Sequence, residues 1–475
     1  MTARELLSLL LLSTDLAIFA YFLAVNTFYG VLLIQAIREL SSHMVEIRGE
    51  HLDRILSSQF APAISMLAPA YNEEATVIDS LKAMIALQYP RLEIVLINDG
   101  SKDRTMEVLK EHFGLVAVRP IYRKQLQTAE LRALYHSPDY PNLVVVDKAN
   151  GGKADALNLG LQVATSELVC AMDADTLVEA NALMKLVRPF LRDPQVAACG
   201  GTIRVVNDCQ VEMGRVVARV PRRPLPGFQT VEYLRAFLFG RLGWNRLGGN
   251  LIISGAFGLF SRRAVIQAGG YEKSSVGEDM ELVARLRRRS YERKSPGKVV
   301  FIPDPVAWTE VPETLRVLGR QRDRWHRGLS DVLWRYRGLL FRPRYGSLGM
   351  LALPYFLFFE LLAPVVEALG ILISVLGVAL GALNWTFAVL FFLVAYGYGL
   401  VLSIMSLVLE EWSFHRFDRL SDRALLLAWA VLENVGYRQL TVWWRLKGLW
   451  KFLKGDHAWG NMERRGLRNP PVSRS

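Results

Sequence analysis

The chain has 475 residues, enough for one large folded domain and several apolar helices besides. Hydrophobic residues make up 51% and mean hydropathy is +0.20, which argues against an ordinary soluble enzyme; the apolar excess lies at the two ends. The net charge of +12 fits nucleic acid, anionic lipid headgroups or a phosphorylated substrate, but Arg and Lys cluster beside the apolar runs, which argues against nucleic acid and for positive cytoplasmic flanks.

Residues 5–37 are almost wholly apolar apart from Asp15, Asn26 and a few hydroxyls. A span needs roughly 20 apolar residues, so this run predicts one long membrane helix with an apolar lead-in, or two short ones. It is too long for the apolar core of a signal peptide, and no small-residue cleavage site follows. Arg38, Arg48 and Arg54 come after it and only Arg4 before it, which puts the middle of the chain in the cytoplasm. From about 62 to 310, short β-rich runs alternate with helical ones. Ile64–Pro69, Leu92–Asn98, Asn142–Asp147 and Glu167–Met172 read as strands, with helices over 73–87 and 153–164. Such alternation predicts an α/β parallel sheet, whose ligands bind beyond the carboxyl ends of the strands. Cys170, Cys199 and Cys209 lie in this middle region without metal-ligand spacing, so neither a disulfide nor a structural zinc is expected.

Residues 208–250 carry Arg222-Arg223-Pro224-Leu225-Pro226-Gly227 and an aromatic helical run, read as an insertion or mobile loop that gates the site together with the Gln321 helix. Residues 349–381 and 385–409 predict a membrane hairpin with a turn near Asn384; Pro354 and Pro364 divide its first arm. Residues 424–453 mix Leu and Trp with Arg438, Arg445, Lys447 and Lys451, as a basic helix lying in the membrane interface would. The tail from 455 is polar. The domains expected are a transmembrane helix at 1–40, a cytoplasmic catalytic domain at 41–346, a hairpin at 347–411 and an interfacial helix with a tail at 412–475. Within the second, 207–250 is the gating insertion and 312–346 an interfacial helix.

The polar motifs stand where strands end. Asp173 and Asp175 follow an apolar strand one residue apart, and two carboxylates so close repel unless a cation lies between them and an anion. Mg²⁺ or Mn²⁺ bridging a diphosphate is the natural partner. Asp99 opens Asp-Gly-Ser-Lys-Asp, where it can accept from a uracil or ribose or simply make a turn. Tyr71 can stack on a base, and Gly151-Gly152-Lys153 sets a phosphate-pairing lysine at a helix start. Glu278 and Asp279 open a helix over Met280–Arg289, a place that favours acids anyway; the functional reading makes Asp279 a general base. Gln321, Arg324 and Trp325 share a helix face, with Arg324 suited to a diphosphate and Trp325 to stacking under a sugar. His326 has no partner visible in the sequence and is read as structural.

Taken in order, these residues resemble the membrane-bound, processive family 2 glycosyltransferases, which include cellulose, chitin, hyaluronan and poly-N-acetylglucosamine synthases. The resemblance covers roughly residues 10–460. It rests on Tyr71-Asn72-Glu73, Asn98-Asp99-Gly100-Ser101, Gly152-Lys153, Asp173-Ala174-Asp175, Glu278-Asp279 and Gln321-x-x-Arg324-Trp325. Gly277-Glu278-Asp279 replaces the commoner Thr-Glu-Asp, and the poly-β-1,6-N-acetylglucosamine type is the nearest in outline.

The resemblance implies a Rossmann-like GT-A fold, a UDP-sugar donor, a divalent cation, inversion at the anomeric carbon and a multi-pass protein of the bacterial inner membrane. It implies donor contacts at Ala68, Tyr71, Glu73, Asp99, Lys153, Asp173 and Arg324, metal at Asp175 and Asp173, and catalysis by Asp279 with Glu278. It further implies an acceptor polysaccharide at Gln321, Arg324 and Trp325, and leaves room for a small membrane accessory subunit. Two other readings are a single-addition enzyme acting on a membrane lipid and a non-catalytic membrane scaffold.

Overall fold

The computed structural model describes residues 3–48, 61–173, 176–212, 215–295, 297–381 and 385–456. These form two compact units. One is built from residues up to 45, 218–249 and from 312 on, the other from 46–217 and 250–311, counting described residues alone.

The second unit is an α/β domain. Its strands in chain order are β1 (Ile64–Ala70), β2 (Leu92–Asn98), β3 (Val116–Val118), β4 (Leu131–His136), β5 (Leu143–Lys148), β6 (Leu168–Met172), β7 (Leu177–Val178), β8 (Val196–Val205), β9 (Gln210–Glu212), β10 (Arg215–Val217), β11 (Phe257–Ser261) and β12 (Lys298–Thr309). All but β9 and β10 join one sheet, in the order β3-β4-β5-β2-β1-β6-β11-β8-β12-β7. The sheet is mixed rather than parallel throughout. Strands β5, β2, β1 and β6 run parallel, as do β8 and β12, but β11 enters antiparallel between β6 and β8.

The four strands expected from the sequence form within a residue or so of their predicted ends. They are continuous apolar runs because both faces of a central parallel strand are covered. Leu67, Val95, Ile97 and Val146 are fully buried with Leu157, Leu159 and Leu161 of the Lys153–Val163 helix, each worth about 1.5–3 kcal/mol. Gly160 lets that helix lie close to the sheet, since a Cβ there would come within 2.9 Å of Ile97.

The other unit is helical. Its Ala3–Arg48 helix is continuous, which settles the choice between one helix and two. Two helical runs, Leu12–Ile47 and Leu348–Ala379, are long and apolar enough to cross a membrane. In the second, widened turns flank Pro354, and Pro364 opens the Ala363–Ala379 helix. The turn expected near Asn384 lies outside the described residues, as does the tail from 457; beyond that turn the chain is helical over 385–413.

Two expectations are corrected here. Residues 224–247 form the helical run expected within 208–250, but the mobile-loop reading of that stretch is corrected, because they pack: Val231, Leu234 and Leu238 are buried against Phe417, Leu426 and Trp429, whose indole donates to the Pro221 carbonyl at 3.0 Å. The single basic helix expected over 424–453 is two, Leu420–Leu432 and Tyr437–Leu453. The latter is pinned by ion pairs. Arg438 meets Glu367 at 3.1 Å and Arg445 meets Glu360 at 3.4 Å. Equal seven-residue spacings on the two segments make these successive rungs of an antiparallel pairing.

Candidate active site

Parallel pairing levels the strand ends. Ala70 is in register with Asn98, and Asn98 with Asp147. The motifs after β1, β2, β5 and β6 therefore emerge along one sheet edge. There they interlock. The Asn72 amide donates to Ser101 Oγ at 2.9 Å, and the Lys102 amide donates to Asn72 Oδ1 at 2.8 Å. The Glu73 amide donates to Thr105 Oγ1 at 2.9 Å, and the Glu73 carboxylate accepts from Thr76 Oγ1 at 2.7 Å. Ala68 is buried within β1, while Tyr71 stands 44% exposed at the edge and offers a free aromatic face.

Asp99 is only 4% exposed, and its carboxylate is bonded to its own chain. It pairs with Lys148 and accepts from the Gly151 and Gly152 amides at 3.0 and 2.7 Å and from Asn150 Nδ2 at 3.3 Å. The expected nucleoside contact would have to replace one of these bonds. What Asp99 does in this structure is hold the Gly-Gly-Lys turn.

Lys153 is the first residue of its helix, and its ammonium stands among the acids. Nζ is 2.6 Å from Asp173 Oδ1, 3.8 Å from Glu278 Oε1 and 3.5 Å from the Gly255 carbonyl oxygen. Burial by itself would depress the lysine, but Asp173, Glu278 and Asp279 outweigh it and hold the ammonium protonated. Burial raises the Glu278 carboxyl above the usual range; Asp279 and Asp173 push the same way, and Lys153 opposes them. Asp279 Oδ2 accepts from the Gly255 amide at 3.2 Å and Oδ1 from the Met280 amide at 2.8 Å. Antiparallel β11 makes this possible, because pairing Phe257 with Met172 brings Ser254–Ala256 beside Asp173, whose amide donates to the Ala256 carbonyl at 3.2 Å.

Asp175 lies outside the described residues. Among the described residues no group of three metal-ligating side chains forms. The oxygen donors gathered around Lys153 are nonetheless of the hard kind that Mg²⁺ or Mn²⁺ takes, and the ammonium already demonstrates that a cation is held at Asp173.

Gln321, Arg324 and Trp325 belong to the helical unit, on the Leu315–Arg335 helix. Trp325 is 44% exposed, with the Arg322 guanidinium 4.5 Å from its ring centroid. Arg322 is fixed in turn by Glu232 at 2.7 Å, and the Tyr437 hydroxyl donates to the same Glu232 oxygen at 2.8 Å. His326 is buried, as its structural reading requires; burial and Arg445 lower it to about 3.

Residues that sequence reasoning missed are Lys148, Asp155, Lys273 and Arg322. The available signal was Lys148 itself, a cation at the end of the strand just after Asp147 closes the apolar run Leu143-Val144-Val145-Val146.

The model of "Glycosyl transferase family 2" matches residues 65–268, and that of "Glycosyl transferase family group 2" matches 168–402. The chain carries a family 2 glycosyltransferase domain. The two matches together contain every motif residue named above, from Ala68 to Trp325. The chain is 30% identical over 294 residues to the poly-beta-1,6-N-acetyl-D-glucosamine synthase of Staphylococcus epidermidis, covering 62% of this chain and 59% of that protein. The synthase of Staphylococcus aureus (strain COL) is 30% identical over 273 residues, 57% and 56% of the two chains. The chain thus spans between half and two-thirds of the curated relatives it matches. Among solved structures, a mannosyltransferase from Pyrobaculum calidifontis, in complex with GDP-Man and Mn2+, superposes with a TM-score of 0.50 at 19% identity. That match covers 89% of this chain and 99% of the other, and it shows the GT-A-like fold.

Proposed function

We propose that this glycosyltransferase moves a sugar from a UDP-sugar, best matched by UDP-N-acetylglucosamine, onto a growing β-linked polysaccharide at the cytoplasmic face of a membrane, with inversion. The observation that carries the reading is the gathering of Lys153, Asp173, Glu278 and Asp279 at one strand edge. Asp279, held by the Gly255 amide, takes the proton from the acceptor hydroxyl as that oxygen attacks the anomeric carbon and the C–O bond to the diphosphate breaks. Lys153 pairs with the diphosphate, and Tyr71 stacks on the base, with Ala68, Glu73 and Asp99 building the pocket around it. Asp173 and Asp175 would hold Mg²⁺ or Mn²⁺, which when bound neutralises charge on the leaving diphosphate. Gln321, Arg324 and Trp325 are assigned to acceptor and diphosphate.

The membrane setting is supported by the two apolar helical runs and by Arg38, Arg48 and Arg54 after the first. The polysaccharide acceptor is supported by the names of the relatives.

A panel of UDP-sugars given to the purified protein in detergent with Mn²⁺ tests the reading, with product length and linkage analysed. A polymer from one donor is expected, and Asp279→Asn should cut its formation by about 10²–10⁴-fold. Single additions to lipid would replace the polymer reading, and undiminished output from Asp279→Asn would remove the base assignment.

A further inference from the structure

Behind the acidic cluster lies a second charged network. Lys148, the last residue of β5, is fully buried. Its ammonium pairs with Asp99 and stands 2.8 Å from Asp155 Oδ1. Asp155 lies in the first turn of the Lys153–Val163 helix and is itself buried. It accepts from the Ala129 amide at 3.0 Å and pairs through its other oxygen with Lys273. Burial pushes the Asp155 carboxyl up, but Lys148, Lys273 and the Ala129 amide outweigh it and hold it ionised. Two carboxylates and two ammoniums thus make a neutral set, and it stays neutral only while Lys273 is in place.

Lys273 is the informative member. It is 41% exposed, and it sits four residues before Gly277-Glu278-Asp279. One helical turn beyond Asp155, Asn158 grips the same segment. Its Nδ2 donates to the Tyr271 carbonyl at 2.8 Å, and its Oδ1 accepts from the Tyr271 amide at 2.6 Å. One helix face therefore anchors the chain at 271 and 273, and the same helix begins with Lys153.

We infer that Lys273, through its ion pair with Asp155, is a positioning residue that sets Glu278 and Asp279 against Lys153 in the glycosyl-transfer site. This rests on the function proposed above. Sub-ångström placement of a base controls rate more than affinity, so losing the anchor should lower kcat while UDP still binds.

The test compares full-length Lys273→Met and Lys273→Arg with the parent chain in detergent. Amide hydrogen exchange is read first, because it needs no sugar donor. Lys273→Met should speed exchange over residues 270–282 by about tenfold or more, leave β1, β2 and β6 unchanged, and be restored by Lys273→Arg. With an active donor, kcat should fall about tenfold in Lys273→Met while the UDP·Mn²⁺ dissociation constant shifts less than about twofold, and Lys273→Arg should recover the rate. Unchanged exchange over 270–282, or full kcat in Lys273→Met, overturns the inference. So does a parallel loss of UDP binding and core protection, which would make the pair a general prop. If the parent chain transfers no sugar, the proposed function fails while the exchange result still decides the anchor.

Discussion

Lys153 does at residue scale what a metal does in many phosphate sites: it lets carboxylates stand together. Without it, Asp173, Glu278 and Asp279 would repel across a partly desolvated cluster. The Glu278 carboxyl is still raised above the ordinary value of 4.5, first by burial and then by Asp279 and Asp173, with Lys153 opposing them. The sign follows from linkage. Above pH 4.5 the unfolded chain loses this proton while the folded chain keeps it, so stability falls as pH rises until the raised value is passed. Thermal melting of the nucleotide-free protein should show it: Glu278→Gln, which cannot ionise, should gain on the parent chain as pH rises through that window. A constant difference in melting temperature would remove the assignment.

At the scale of elements, the turns after the strands carry the chemistry, and their tolerance is narrow. Gly100 follows β2 with φ at 67°, and a Cβ there would come within 2.6 Å of the Asn150 amide nitrogen. Gly100→Ala should therefore cost about 1–3 kcal/mol, seen as a lower denaturation midpoint, and weaken UDP binding by displacing the Asn150–Gly152 turn. The four strand-end motifs were legible in the sequence because each follows an uninterrupted apolar run, and a buried parallel strand has no other composition open to it. Strand β11 was not legible as the antiparallel neighbour of β6. Its partners in β6 are more than eighty residues away, and periodicity records only which faces are apolar, not which strand lies alongside.

At the scale of the whole molecule, the chain passes repeatedly from one unit to the other, near 45, 217, 249 and 311. The helical unit is consequently assembled from three separate segments. Glu39 of the first pairs with Arg246 of the second at 3.0 Å, and Phe28 packs against Trp244 and against Tyr355 of the third. Alkaline carbonate washing of membranes should leave the full chain in the pellet. A chain starting at residue 46 should aggregate, because Trp244 and Tyr355 lose their cover; release of the full chain into the supernatant would overturn the spanning assignment.

Sequence alone determined the apolar helices, the strand-end positions of Asp99 and Asp173 and the helix-start position of Lys153, because each is written in a few neighbouring residues. Only tertiary structure decided that Asp99 is spent on the Gly151–Gly152 turn, that 224–247 joins the helical unit, and that Lys148, Asp155 and Lys273 form one network. Each of these rests on charges or apolar faces tens to hundreds of residues apart, and their value depends on burial that no local pattern encodes.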